Sequence, residues 1–247
     1  MAIDLVICDI DGCLAAEAGG PFDLELLGPI AAWNREAEAA GRRAPLTVCT
    51  GRPQPFAQAM CRLLHNNTTP CVAEHGVWLW DPASGESQID PSITPAHLEV
   101  IHAAEALLLD RYGASGVSLL PGKRASVTLC HADPALLQAI APEVQQVLEE
   151  RGWPLHVSMT WNYINCDLRH VSKASGVRRL FEATGVDATR SVGIGDTSSD
   201  LPVAQAAGWF GCPSNACEEL KQHADYVSPW PEARGVLDIL DRAKGRE

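Results

Sequence analysis

Short apolar runs of strand length alternate with helical segments at both ends of the chain, and few architectures accommodate that pattern. Residues 3–8 form an apolar run, and residues 29–40 have helix-forming composition, with Pro29 suited to a first turn and Gly41 to a stop. Strand-like stretches at 46–49 and 71–73 flank a helical segment at 54–65. The alternation resumes with a helix at 173–184, a strand at 191–194, a helix at 200–207, a strand at 209–212 and a terminal helix from about Glu232. A parallel sheet covered on both faces by helices is the expected α/β core, because parallel strands need a crossover between them.

The middle of the chain breaks the pattern. A strand at 77–80 and the turn-rich DPASGES precede helical segments near 96–110 and 134–151, which alternate with strands at 125–130, 155–158 and 163–168. This reads as an inserted α+β domain at residues 84–167, which leaves a discontinuous core at 1–83 and 168–247. Such an insert is expected over the carboxyl ends of the core strands, where open α/β sheets bind ligands.

A formal charge of −12 argues against nucleic acid and anionic membrane surfaces as partners. No apolar run approaches the roughly 18 to 20 residues of a membrane span, and the amino-terminal residues do not resemble a secretion signal. Nine cysteines, an odd number without a CxxC pair and several inside apolar runs, fit a reducing cytoplasm. The sequence carries no signature of a particular oligomeric state.

Chemistry-bearing residues gather after the expected core strands. In LVICDIDGC, Asp9 and Asp11 are two apart, so in extended chain both carboxylates share one side and could hold a divalent cation, or one could attack phosphorus. A turn or helix cap built from Asp and Gly is the plainer reading of that motif alone. Thr50 and Gly51 in TVCTGR, Lys173 in VSK, and Asp196 and Asp200 in GIGDTSSD stand at three further strand ends or helix starts. A hydroxyl, an ammonium group and extra carboxylates are what an aspartyl-phosphate site needs.

These four ordered motifs, DIDGC, TVCTGR, VSK and GDTSSD, resemble those of the haloacid dehalogenase superfamily, and the likeness runs nearly the whole chain. Asn215 and Ala216 followed by EELKQHADYV resemble the tail of the Cof-like group, which carries a large cap between the second and third motifs and includes sugar phosphatases, phosphoglycolate phosphatases and phosphomannomutases. The resemblance implies a Rossmann-like parallel core with an inserted α+β cap, and hydrolysis of a small phosphorylated metabolite with magnesium. It also implies Asp9 as nucleophile and Asp11 as general acid and base. Magnesium would be held by Asp9, the backbone carbonyl of Asp11 and Asp196, with Asp200 orienting that shell. Thr50, Gly51 and Lys173 would bind the transferring phosphoryl group. A phosphomutase would share every motif, and a non-enzymatic phospho-acceptor module is a further alternative.

Substrate contacts are less legible. Arg52, Lys123, Arg124 and Asn215 are candidates, and Glu74, His75, Asn162 and His170 are weaker ones. Glu74, His75 and Gly76 occupy the expected hinge and read first as structural. Trp78, Trp80, Trp153 and Trp161 could stack on a sugar ring, but large aromatics in a cap more often build its core.

Overall fold

The computed structural model describes residues 3–16, 20–40, 44–160 and 162–244. The chain begins with β1 (Leu5–Cys8), α1 (Leu24–Ala40), β2 (Leu46–Val48), α2 (Gln54–Leu63) and β3 (Cys71–Ala73), then β4 (Trp78–Trp80) and β5 (Ser87–Ile89). An inserted segment follows with α3 (Pro95–Tyr112), β6 (Ser118–Leu119), β7 (Ser126–Cys130), α4 (Pro134–Glu150), β8 (Leu155–Thr160) and β9 (Tyr163–Leu168). The chain returns to the core with α5 (Lys173–Thr184), β10 (Ser191–Ile194), α6 (Leu201–Ala206), β11 (Trp209–Cys212), α7 (Glu218–Lys221), β12 (Tyr226–Val227) and α8 (Glu232–Lys244).

The core sheet is parallel, in the order β12-β11-β10-β1-β2. All four residues of β1 are buried because helices cover both faces, which is why the strand reads as a continuous apolar run. Its side chains alternate between two cores. Val6 and Cys8 pack with Leu27, Ile30 and Trp33 of α1 and Val236 and Ile239 of α8, whereas Leu5 and Ile7 pack with Val177 and Leu180 of α5 and Phe210 of β11. The register sets Cys8 opposite both Val48 and Ile194, so the loops after β1, β2 and β10 leave the sheet at one edge.

The insert has its own antiparallel sheet, ordered β6-β7-β9-β8, with α3 and α4 packed on it. Ile101, Leu108, Val127, Leu129, Leu137, Val144, Leu148 and Ile164 form a separate apolar cluster there. The architecture is therefore the expected parallel α/β core with an inserted α+β cap. Between the two, β3, β4 and β5 form an antiparallel ribbon, joined to the core by a parallel bridge from Cys49 to Val72.

One expectation is corrected. Helix α1 starts at Leu24, so Pro29 lies inside it rather than in its first turn. The side chain of Asp23 accepts the amides of Glu25 and Leu26 at 3.0 and 3.2 Å and starts the helix early, while Pro29 sits on the exposed face. The expected stop at Gly41 and the ring of Trp161 lie outside the described residues. Of the other tryptophans, Trp80 is buried in the core, and Trp78 and Trp153 pack against the cap cluster. Among the described residues, no helix is long and apolar enough to cross a membrane.

Candidate active site

Asp9 follows β1, and its amide donates to the carbonyl of Ile194 at 3.0 Å, which fixes it against the end of β10. Lys173 opens α5, where the amide of Ser172 is held by the Ser175 hydroxyl at 3.1 Å. A lysine at a helix start is opposed by the helix dipole. Here its ammonium is buried between Asp9 Oδ2 at 2.8 Å and Asp200 Oδ1 at 2.6 Å. Burial alone would lower the Lys173 pKa, but Asp200 and Asp9 hold it well above its ordinary value. Asp200 is fixed in turn, because its Oδ2 accepts the amides of Asp196 and Thr197 at 3.1 and 3.2 Å.

Asp9, Asp196 and Asp200 are all buried, and each offers a carboxylate oxygen within 4.8 Å of the others. Burial pushes the Asp9 carboxyl up to about 7; Lys173 pulls it down and Asp200 raises it further. Hard carboxylate oxygens packed this closely suit a small divalent cation, whose added charge would favour the ionised form of Asp9. Gly12 makes the approach of Asp196 feasible. Its φ is +73°, and a Cβ there would lie 1.9 Å from Asp196 Oδ2.

Asp11 does not share this cluster through its side chain. Arg52 grips it with two hydrogen bonds, Nε to Oδ2 at 2.8 Å and Nη2 to Oδ1 at 2.6 Å. The Arg52 guanidinium lies 5.2 Å from the Phe56 ring centre and 5.4 Å from that of Tyr163, and it donates to the Tyr163 hydroxyl at 3.2 Å. The hydrogen bonds to Asp11 hold its pKa above its ordinary value.

Thr50 is fully buried, and its hydroxyl accepts the Arg52 amide at 3.1 Å. Gly51 is packed so tightly under His75 that a Cβ would meet His75 Nε2 at 2.1 Å. His75 Nδ1 lies 2.9 Å from Asp167 Oδ2, which links the core turn to the end of cap strand β9. Burial alone would push the Asp167 carboxyl up, but His75 and Lys123 hold it below its ordinary value. Glu74 makes the second link between core and cap. Its buried carboxylate accepts the amides of Arg124 and Ala125, each at 2.8 Å, and the Ser126 hydroxyl at 2.9 Å.

A cleft open to solvent lies between the core and the cap. Asp9, Asp11, Gly51, Arg52 and Lys173 line it from below, and Lys123, Asn162 and Tyr163 from the cap. Of the substrate candidates, Arg52 and Lys123 face this space. Arg124 is exposed and contributes its backbone amide to Glu74. Asn215 bridges the Gly12 carbonyl and the Glu232 amide, each at 2.8 Å, and so ties the first motif to α8. His170 packs its ring against His97, with 4.7 Å between ring centres. Cys13 is buried and burial pushes its thiol pKa well up, which keeps it in the unreactive thiol form. Tyr163 and Asp167 carry no motif signal and enter the site only through the docking of the cap.

Fold and site define an α/β protein whose lysine-linked carboxylate centre lies beneath an inserted cap. The profile of the haloacid dehalogenase-like hydrolases matches residues 121–240. A phosphoglycolate phosphatase of Methanopyrus kandleri is 27% identical over 238 residues, covering 96% of this chain and 95% of that protein. A phosphoglycolate phosphatase of Methanothermobacter thermautotrophicus is 28% identical, with coverage of 97% and 98%. A haloacid dehalogenase-like hydrolase from Bacteroides thetaiotaomicron superposes with a TM-score of 0.71 at 17% identity, over 97% of this chain and 99% of that one. The sucrose-phosphatase of Synechocystis does so with a TM-score of 0.64 at 14% identity, over 99% of both chains. The profile match and the full-length likeness to phosphatases, together with the fold, support a phosphatase of the haloacid dehalogenase-like hydrolases.

Proposed function

We propose that this protein hydrolyses a small phosphorylated metabolite, a sugar phosphate or a phosphoglycolate-like acid, in a magnesium-dependent reaction that passes through an aspartyl-phosphate on Asp9. The observation that carries the reading is the Asp9 carboxylate, buried at the end of β1 and bonded to Lys173 within a cluster of carboxylates.

Asp9 would attack phosphorus, and Lys173 would keep it ionised and offset charge on the phosphoryl oxygens. Thr50 and the amide of Gly51 would bind those oxygens. Asp11 would protonate the leaving oxygen and then take a proton from the water that cleaves the aspartyl-phosphate. Asp9, Asp196 and the backbone carbonyl of Asp11 would hold magnesium, with Asp200 orienting the group. When bound, the metal supplies charge neutralisation between two anionic reactants. The full-length similarity to phosphoglycolate phosphatases supports phosphate esters as the substrate class.

Phosphate release from a panel of sugar phosphates, phosphoglycolate and an aryl phosphate, with magnesium or with chelator, tests this reading. Turnover that needs magnesium and is abolished in Asp9→Asn is expected. A folded native protein that releases phosphate from none of them would overturn it.

A further inference from the structure

Asp11, the proposed acid and base, has both carboxylate oxygens occupied by Arg52. In that state the Asp11 carboxylate is clamped side-on against Arg52 and is not free to turn toward a leaving group. Arg52 cannot easily follow Asp11 elsewhere, because Phe56 and Tyr163 pack on its guanidinium and the Tyr163 hydroxyl accepts from Nη1. Its donor fork is therefore fixed in the cleft and can be occupied by only one carboxylate side-on. A second cation, Lys123, lines the same cleft from the cap. Among the described residues, no carboxylate lies within ion-pair distance of Lys123; Asp167 and Glu74 act on it from further away, and an anion brought beside its partly desolvated ammonium would gain a direct partner.

We propose that Arg52 is a substrate-operated gate, in which a carboxylate on the substrate, shared with Lys123, displaces Asp11 from Arg52 and so frees Asp11 to turn to the leaving oxygen. The proposal rests on the phosphatase reading and narrows it to phosphorylated acids. A neutral sugar phosphate occupies the phosphoryl site but leaves Asp11 clamped. The discrimination then falls on kcat as well as KM, because binding energy from a non-reacting part of the substrate is used to free the group that reacts.

The exchange is testable with a substrate in two pieces. Hydrolysis of an aryl phosphate lacking a carboxylate is followed with magnesium while glycolate is titrated in, using native protein, Arg52→Gln and Lys123→Gln. Glycolate is expected to raise kcat severalfold and saturably in the native protein, less in Lys123→Gln, and not at all in Arg52→Gln. With phosphoglycolate, Arg52→Gln should raise KM roughly 10- to 100-fold, the usual effect of losing a charge-assisted hydrogen-bonded pair. If glycolate leaves the native rate unchanged or lowers it, or accelerates Arg52→Gln as much as native protein, the gate is overturned while the phosphatase reading stands. Absence of phosphate release from every compound overturns both. Should Arg52→Gln fail to fold, the native and Lys123→Gln titrations decide.

Discussion

At the scale of the residue, Asp9 is a carboxylate whose surroundings work against its charge. Burial pushes its pKa up to about 7, far above the ordinary carboxylate value near 3.8, even with Lys173 bonded to it. A folded-state pKa above the unfolded one means that Asp9 contributes stability in full below the unfolded value and loses it as pH rises through the folded one. Chelator-treated protein should therefore lose part of its stability between about pH 4 and pH 7. Asp9→Asn should show a flatter profile over that window. Urea unfolding at several pH values measures the difference, and parallel profiles for the two proteins would refute it. The place of Asp9 at the end of a core strand was legible because DIDGC follows a buried apolar run. Its ionisation was not, since that depends on Lys173 and Asp200, residues 164 and 191 positions away whose distances only the fold sets.

The telling element is the turn Glu74–Gly76, in which Glu74 and His75 both adopt positive φ, 51° and 53°. Non-glycine residues rarely sit there, and the strain persists because the surrounding contacts hold them. Glu74 anchors the loop entering β7, His75 anchors the end of β9, and the His75 ring covers Gly51. Glu74→Ala would leave the Arg124 amide, the buried Ala125 amide and the buried Ser126 hydroxyl without their acceptor, and should cost on the order of 2 to 4 kcal/mol. Faster amide exchange in β7 than in β1 should accompany that loss. Thermal unfolding and hydrogen exchange check this, and an unchanged β7 would show that the cap is held by other contacts. The sequence pointed to a structural turn here without revealing which strands it grips. The elements missed from the sequence, β5, β6, α7 and β12, have three, two, four and two residues, too few for periodicity to register. The sequence does not show the start of α1 because the Asp23 cap lies six residues before Pro29, where the helical composition becomes clear, and a proline on an exposed helical face costs stability without ending the helix.

Across the whole molecule, parallel register and cap docking bring distant loops into one acidic centre. A ligand that binds only the folded state raises stability by mass action, about 2.7 kcal/mol at one hundred times its dissociation constant. Magnesium should therefore raise the Tm of the native protein in a concentration-dependent way, and Asp196→Asn should largely abolish the shift. Equal shifts in both would place the cation elsewhere. The alternation of apolar runs and helices specified the layered core, and the strand-end motifs specified which loops carry the candidate site residues, because hydrophobic period and turn chemistry are local properties of a chain. The tertiary structure decided the partners. Arg52 meets Asp11 across 41 positions, Lys173 meets Asp200 across 27, and His75 meets Asp167 across 92. Those contacts follow from strand register and the seating of an inserted domain, which depend on packing between segments far apart in the chain and leave no local trace in sequence.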